Sequence, residues 1–497
     1  MLIGLDVGTS SMKALLVAPD GTVVASASRE YAFDSPRPGW AQTDPRIWRR
    51  AAVEVLRELA GHPRAAGVQA LGLTGQMHGL CLVGADGEPL APAIMWNDQR
   101  SAPQCERLER EIGLAELVAR TGNRLLPGFT APKWAWVVEH EPALARATKH
   151  VLLPKDDVRF ALTGTAATDV SDASGMLVLD CANRRWSEAM CRDLKLPTAL
   201  LGRLHESHEP CAQLSAAAAA ATGLPHGLPV VAGAGDQAAQ ALGTGIVQDG
   251  QVSCTIGTSG VVFAAGDLWR ASPDGNLHAF CHAMPGRWHL MGVMLSAGGS
   301  LQWARGALTP DLASAAARDG IDAYPGMLEL AASVPPGADG LVFLPYLSGE
   351  RSPHADPHAR GAFIGLTPAH SRAHLLRAVV EGITMGLLDN LDAMRATGLT
   401  PRSIRLSGGG ARSAWWRQLL TDAFGVPTST VQVTDGGAYG AALLAGIGTG
   451  CWRDAAQATA HLRDHDPCSP GSGTAVPVEG FRAAYRALRP YFSEAHR

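Results

Sequence analysis

A short glycine-threonine hairpin occurs twice in this chain, once in each half, and it limits the possible folds more than any other feature. Gly4-Leu5-Asp6-Val7-Gly8-Thr9-Ser10 lies at the start, and Thr255-Ile256-Gly257-Thr258-Ser259-Gly260 near the middle. Apolar, β-prone runs flank both: Leu2 to Leu5 and Ala14 to Ala18 around the first, Val252 to Cys254 and Val261 to Ala264 around the second. A tight Gly-Thr turn between strands aims backbone N–H groups and a hydroxyl at one small space, which suits phosphate oxygens. Gly-Thr-Ser also marks ordinary hairpin turns. Two copies, with Asp6 just before the first Gly-Thr, point to a duplicated fold gripping one polyphosphate from both sides.

A chain of 497 residues exceeds one ordinary core, so two large domains are expected, divided near residue 245 into 1–245 and 246–497. The 46% hydrophobic and 18% charged content fits a globular protein and argues against disorder. The 42 basic and 46 acidic residues include no basic cluster, so no nucleic-acid partner is expected. Nine scattered cysteines without a C-x-x-C pair suit a reducing compartment and argue against disulfide frameworks and metal cages. Asp6 and Lys13 interrupt the N-terminal apolar run, which reads against a signal peptide. No apolar stretch approaches the ~20 residues of a membrane span. The expectation is a cytoplasmic protein without a membrane partner.

Strand-like and helix-like segments alternate. Gln69 to Thr74, Val151 to Leu153, Leu228 to Ala232, Gly340 to Phe343 and Ser403 to Leu406 read as strands. Pro45 to Ala60, Ala216 to Ala221 and Ala414 to Ala423 read as helices. This alternation predicts an α/β architecture with mixed or parallel sheets. Pro335-Pro336-Gly337 and Pro467 to Gly473 read as surface connections, and the segment from Gly480 onward as an outer amphipathic helix.

Chemistry gathers at four further places. Val230 to Ala238 is an apolar strand running into the glycine turn Gly233-Ala234-Gly235 and then Asp236 at a helix start. A carboxylate there can accept the proton of an attacking hydroxyl; an aspartate there can also simply cap the helix. Gly233-x-Gly235-x-x-Ala238 matches the dinucleotide fingerprint too, but that fingerprint opens its domain and is followed by an acidic residue, not by another phosphate-type hairpin. Thr74-Gly75-Gln76-Met77-His78-Gly79 and Met95-Trp96-Asn97-Asp98-Gln99-Arg100 mix donors, acceptors and apolar walls, as polyols and sugars require. Ser407-Gly408-Gly409-Gly410-Ala411-Arg412-Ser413 precedes a helix and lets a flat ring or a diphosphate lie against the backbone, or serves as a tight packing turn. It is not a Walker A loop. Asp435 to Ala442 reads as a helix of small residues built for close packing.

With these motifs in their order, the chain resembles the FGGY family of carbohydrate kinases over its whole length. The resemblance also rests on Pro127-Gly128-Phe129-Thr130-Ala131-Pro132-Lys133, Leu153-Pro154-Lys155-Asp156 and Ser171-Asp172-Ala173-Ser174-Gly175. It implies two actin-like ATPase (ribonuclease-H-like) domains with the active site in the cleft between them. It further implies transfer of phosphate from ATP, with Mg2+, to a small sugar, and the members resembled most act on O5 of D-xylulose. Asp236 then matches the catalytic base, and Asp6 the aspartate that holds the metal beside the transferring group, with Asp236 nearby. Met77, His78, Asn97, Asp98 and Gln237 would serve the sugar. Thr9, Ser10, Lys13 and Thr258 would line the phosphates, and Gly298, Gly409, Gly410 and Ser413 the rest of the nucleotide. A homodimer is the family expectation. Members acting on xylulose commonly carry Asp-Asn where this chain has Asp236-Gln237, a pair typical of glycerol kinases. This leaves another ketose, a pentitol or glycerol open as the acceptor.

Overall fold

Both glycine-threonine turns join antiparallel strands, and each hairpin seeds its own seven-stranded sheet. The structure is a computed structural model that describes residues 1–433, 435–471 and 477–494. In the first sheet Leu2–Val7 pairs antiparallel with Ser11–Val17, which pairs in turn with Val23–Glu30. On its other side Leu2–Val7 runs parallel to Ala70–Gly75. The second sheet repeats this plan. Gln251–Ile256 is antiparallel to Gly260–Gly266, which pairs with Trp288–Met294, and parallel to Ser403–Gly408. In both, a phosphate-type turn stands beside the C-terminal end of a parallel strand, where ligands bind in open α/β sheets.

Helices cover the sheets for ordinary reasons of pattern and capping. Pro45–Ala60 starts with Asp44, whose side chain accepts from Arg46 N at 3.0 Å, and with Pro45 in its first turn. Trp48, Ala52, Val55, Leu56 and Leu59 recur at helical spacing on its buried face. They meet Ile3, Leu5, Leu16 and Leu71 of the first sheet. Each large side chain buried there contributes roughly 1.5–3 kcal/mol before entropy is counted. In the second half the 25-residue helix Arg372–Ala396 runs through the core. Ala216–Thr222 and Ala414–Phe424 form as expected.

One helix departs from the order of the chain. Gly436–Gly448 lies in the second half of the sequence but packs on Leu2–Val7 and Ala70–Gly75 of the first sheet and on the helix Asp236–Gly243. Its small residues make this possible. A Cβ on Gly440 would come within 1.9 Å of Ala239 O, and one on Gly4 within 1.8 Å of Ala438 O. The segment from Gly480 onward belongs to the helix Val478–Glu494, which buries Phe481, Tyr485 and Phe492 against the second core; residues 495–497 lie outside the described part. The connection expected at Pro467 to Gly473 begins instead as the end of the edge strand Asp464–Cys468, and its residues 472 and 473 lie outside the described part. No helix among the described residues is long and apolar enough to cross a membrane.

Candidate active site

Strand register brings the two candidate carboxylates together. Asp6 pairs with Thr74 on one flank of Ala70–Gly75, while Ala234 pairs with Thr74 and Gly235 with Gly75 on the other. The next residue, Asp236, is the first of the helix Asp236–Gly243. The chain reaches this position through Gly233, whose φ of 78° and 2.0 Å approach of a would-be Cβ to Leu73 O allow no side chain. Gly235, not Asp236, occupies the cap position, so the Asp236 carboxylate is not spent on capping. Gly235 N donates to Ser171 Oγ at 3.1 Å; Ser171 Oγ donates to Asp169 at 2.6 Å, and Lys155 Nζ pairs with Asp169 at 2.9 Å. A wholly buried ion network thus fixes the residue just before Asp236.

The first hairpin is held at the Gly8 carbonyl and the Thr9 hydroxyl. Gly8 O accepts from Tyr31 Oη at 2.8 Å and Gln76 Nε2 at 3.1 Å, and Thr9 Oγ1 accepts from Trp96 Nε1 at 3.0 Å. Ser10 is exposed. Lys13 lies opposite Asp6 across the hairpin, but its ammonium is held by Asp435 at 2.5 Å. Asp435 directly precedes the helix Gly436–Gly448.

Two cavities lie on the cleft side of the fold, and neither counts Asp6, Lys13, Asp236 or Gln237 among its lining residues. One, of about 560 Å³, is built wholly by the second half. Thr258, Gly298, Gly409, Gly410 and Ser413 line it, together with Tyr324 and Leu328 of the helix Tyr324–Ala332. Thr258 O accepts from Gly299 N at 2.9 Å, tying the second hairpin to the start of the helix Gly298–Ala307. Ser413 Oγ caps Ala414–Phe424 by accepting from Trp416 N. The other cavity, of about 1000 Å³, lies between the halves. The first half contributes His78, Trp96, Asn97 and Phe129, and the second half His278, Met291, Glu350 and Arg351. Asn97 Oδ1 is buried without a hydrogen-bond partner among the described residues, an acceptor open to a hydroxyl. Met77 packs on Gly235, where a Cβ would meet its sulfur at 2.9 Å, and so links the His78 loop to Asp236.

Asp98 behaves differently from its expected role. It is fully buried and accepts from Ala41 N at 2.7 Å, from Arg100 N at 2.8 Å and from the Arg100 guanidinium. It shapes the loop and does not line the cleft cavity.

A profile of the FGGY carbohydrate kinase N-terminal domain matches residues 1–243, and its C-terminal counterpart matches residues 252–449. The chain belongs to the FGGY family of carbohydrate kinases. It is therefore an ATP-dependent sugar kinase, and the dinucleotide reading of Gly233 to Ala238 falls. This FGGY kinase is 41% identical over 493 residues to a protein named xylulose kinase from Escherichia coli, covering 99% of this chain and 98% of that one. It is 38% identical to a Bacillus subtilis xylulose kinase over 90% of this chain and 88% of that one. Among solved structures, a xylulose kinase from Rhodospirillum rubrum superposes with a TM-score of 0.92 at 33% identity, over the full length of both chains.

Electrostatics in this FGGY kinase centre on the two carboxylates. Burial pushes Asp6 up to about 7, and the negative charge of Asp236 adds to the shift while Lys13 opposes it. Burial likewise raises Asp236 to about 6, against hydrogen bonds from the backbone and side chain of Gln237. Two half-buried carboxylates that repel each other fit a hard divalent cation. No group of three or more His, Cys, Asp or Glu side chains among the described residues could cage a metal alone. That donor set suits Mg2+, which binds through one or two carboxylates plus substrate phosphates.

The sequence reading missed the far wall of the cleft. Glu350 is raised by burial to about 8 while accepting from Leu295 N and Arg351 N, and burial lowers His278 to about 3. The signal available was the charged pair Glu350-Arg351 within an otherwise apolar and small-residue stretch. Tyr324 and Leu328, at the other cavity, carried none.

Proposed function

We propose that this kinase transfers the terminal phosphoryl group of ATP to O5 of D-xylulose, giving D-xylulose 5-phosphate and ADP. The observation that carries the substrate is the near-full-length likeness to relatives named xylulose kinase, at 41% identity in the first case. In this reading the 560 Å³ cavity takes the nucleotide, Thr258 and the glycines lying against its backbone side. The cleft cavity takes the sugar, with His78 and Asn97 as hydroxyl partners and Met77 and Phe129 as apolar walls.

Asp236 acts as the general base. Its raised value near 6 keeps it ionised at neutral pH yet basic enough to accept the O5 proton as attack begins. Asp6, with Asp236 beside it, would hold Mg2+, which when bound neutralises charge on the phosphates. Thr9, Ser10 and the freed Lys13 face the phosphates from the first hairpin, so Lys13 must exchange Asp435 for ATP. Gln237 hydrogen-bonds Asp236, and its amide, one methylene longer than the asparagine common in xylulose-directed members, moves the contact to a sugar hydroxyl. Positioning and charge neutralisation supply most of the catalysis.

The test is the site of phosphorylation. Phosphorus and carbon NMR of the product from D-xylulose and Mg-ATP should show phosphate on C5 alone. Phosphate on C1, or no sugar phosphate, contradicts the assignment.

A further inference from the structure

His78 is held through its main chain as well as its ring, and the main-chain donors come from one helix. It sits at φ 72°, a left-handed backbone that a residue with a side chain keeps only when its surroundings impose it. Its carbonyl accepts from Thr130 Oγ1 and from Lys133 Nζ, both at 3.0 Å. Lys133 Nζ also donates to Gly128 O at 2.7 Å. Both donors lie in the first turns of the helix Thr130–His140. The Lys133 side chain is entirely buried and makes no ion pair among the described residues. Burial lowers Lys133 to about 7, with the Asp98 charge opposing the shift, and charged or neutral its amine donates to both carbonyls.

The ring follows from the same arrangement. Nδ1 lies 3.1 Å from Gly175 O, which can only accept, so Nδ1 carries the hydrogen. The neutral ring then presents Nε2 as an acceptor. Burial favours that neutral form, and so does positive charge on Lys133 and Arg351 around it. Phe129, next to Gly128, closes on the ring edge-to-face at 4.7 Å between centroids. Lys133 therefore bridges the backbone of the histidine and the backbone beside the aromatic ring that walls it.

We propose that Lys133 and Thr130 are positioning residues that hold the His78 backbone so that Nε2 accepts from a sugar hydroxyl, setting sugar affinity without touching the sugar. This rests on the reading of His78 as a sugar contact. The experiment is steady-state kinetics with Mg-ATP and D-xylulose for His78→Ala, Lys133→Met, Thr130→Val and Thr130→Ser, with thermal melting of each protein. Lys133→Met should raise the sugar KM about tenfold or more and Thr130→Val about threefold, as expected for loss of two hydrogen bonds and of one. The KM for ATP should stay within about twofold, and Thr130→Ser, which keeps the hydroxyl, should restore the sugar KM.

An unchanged sugar KM in His78→Ala overturns the sugar-contact reading itself. A raised KM in His78→Ala with unchanged KM in Thr130→Val and Lys133→Met overturns only the positioning role. Equal rises in the ATP and sugar KM, or lower melting with intact KM, mean a structural role and overturn it too. Should Lys133→Met fail to fold, the Thr130 pair decides.

Discussion

Two aspartates side by side carry opposite demands, and this can be measured. If Asp236 is the base, Asp236→Asn should lower kcat by roughly 10²–10⁴ while both KM values change little; near-normal turnover in stopped assays would remove Asp236 from that role. The acid limb of kcat/KM should fall below about pH 6, since the protonated carboxyl cannot accept the O5 proton. Asp6 adds a stability prediction. Burial raises it from 3.8 to about 7, so the folded state favours its protonated form. The Asp6 contribution to ligand-free stability therefore declines as pH rises from 3.8 toward 7, where the full cost of the charge is felt. Asp6→Asn should then melt higher than the native protein above pH 7, with the gain shrinking as pH drops. A constant difference across pH would mean that Asp6 is not strained by its charge.

At the scale of elements, the helix Gly436–Gly448 is the piece on which the site leans, because it packs on both the Asp6 strand and the Asp236 helix. Gly440→Ala would force a methyl to within 1.9 Å of Ala239 O, so the helices must part. Overpacking of this kind costs about 1–3 kcal/mol, and here it should also lower kcat by moving Asp236. Gly306→Ala, in the helix Gly298–Ala307 with nothing within 4 Å, is the control and should stabilise by up to about 1 kcal/mol. Urea midpoints separate the two; equal midpoints would sink the packing account. Elements with local signals were legible before the structure: Pro45–Ala60 follows from its cap and period, and the hairpins from alternation around Gly-Thr. What was not legible depends on distant partners. Asp98 reads like a pocket residue until Arg100 folds back onto it, and Lys13 reads as free until Asp435, 422 residues later, reaches it. Sequence separation likewise hides Glu350 and Arg351, which come to line one cavity with His78 only in the folded chain.

Across the whole molecule, each half carries a sheet of one design, and a cavity of about 1000 Å³ is lined from both halves. That is more room than a five-carbon sugar fills, so on the proposed reading closure over both ligands would exclude water and limit ATP hydrolysis. Small-angle scattering should show a smaller radius of gyration with D-xylulose and a non-hydrolysable ATP analogue together than with neither; an unchanged radius contradicts closure. The central claim is the choice of acceptor. An ADP-release assay with Mg-ATP against D-xylulose, L-xylulose, D-ribulose, L-ribulose, glycerol, pentitols and D-gluconate tests it most directly. The account predicts saturable turnover with D-xylulose and a kcat/KM about tenfold or more above any other sugar, the discrimination a few pocket contacts can supply. Preference for another acceptor, or no turnover with any, would contradict it.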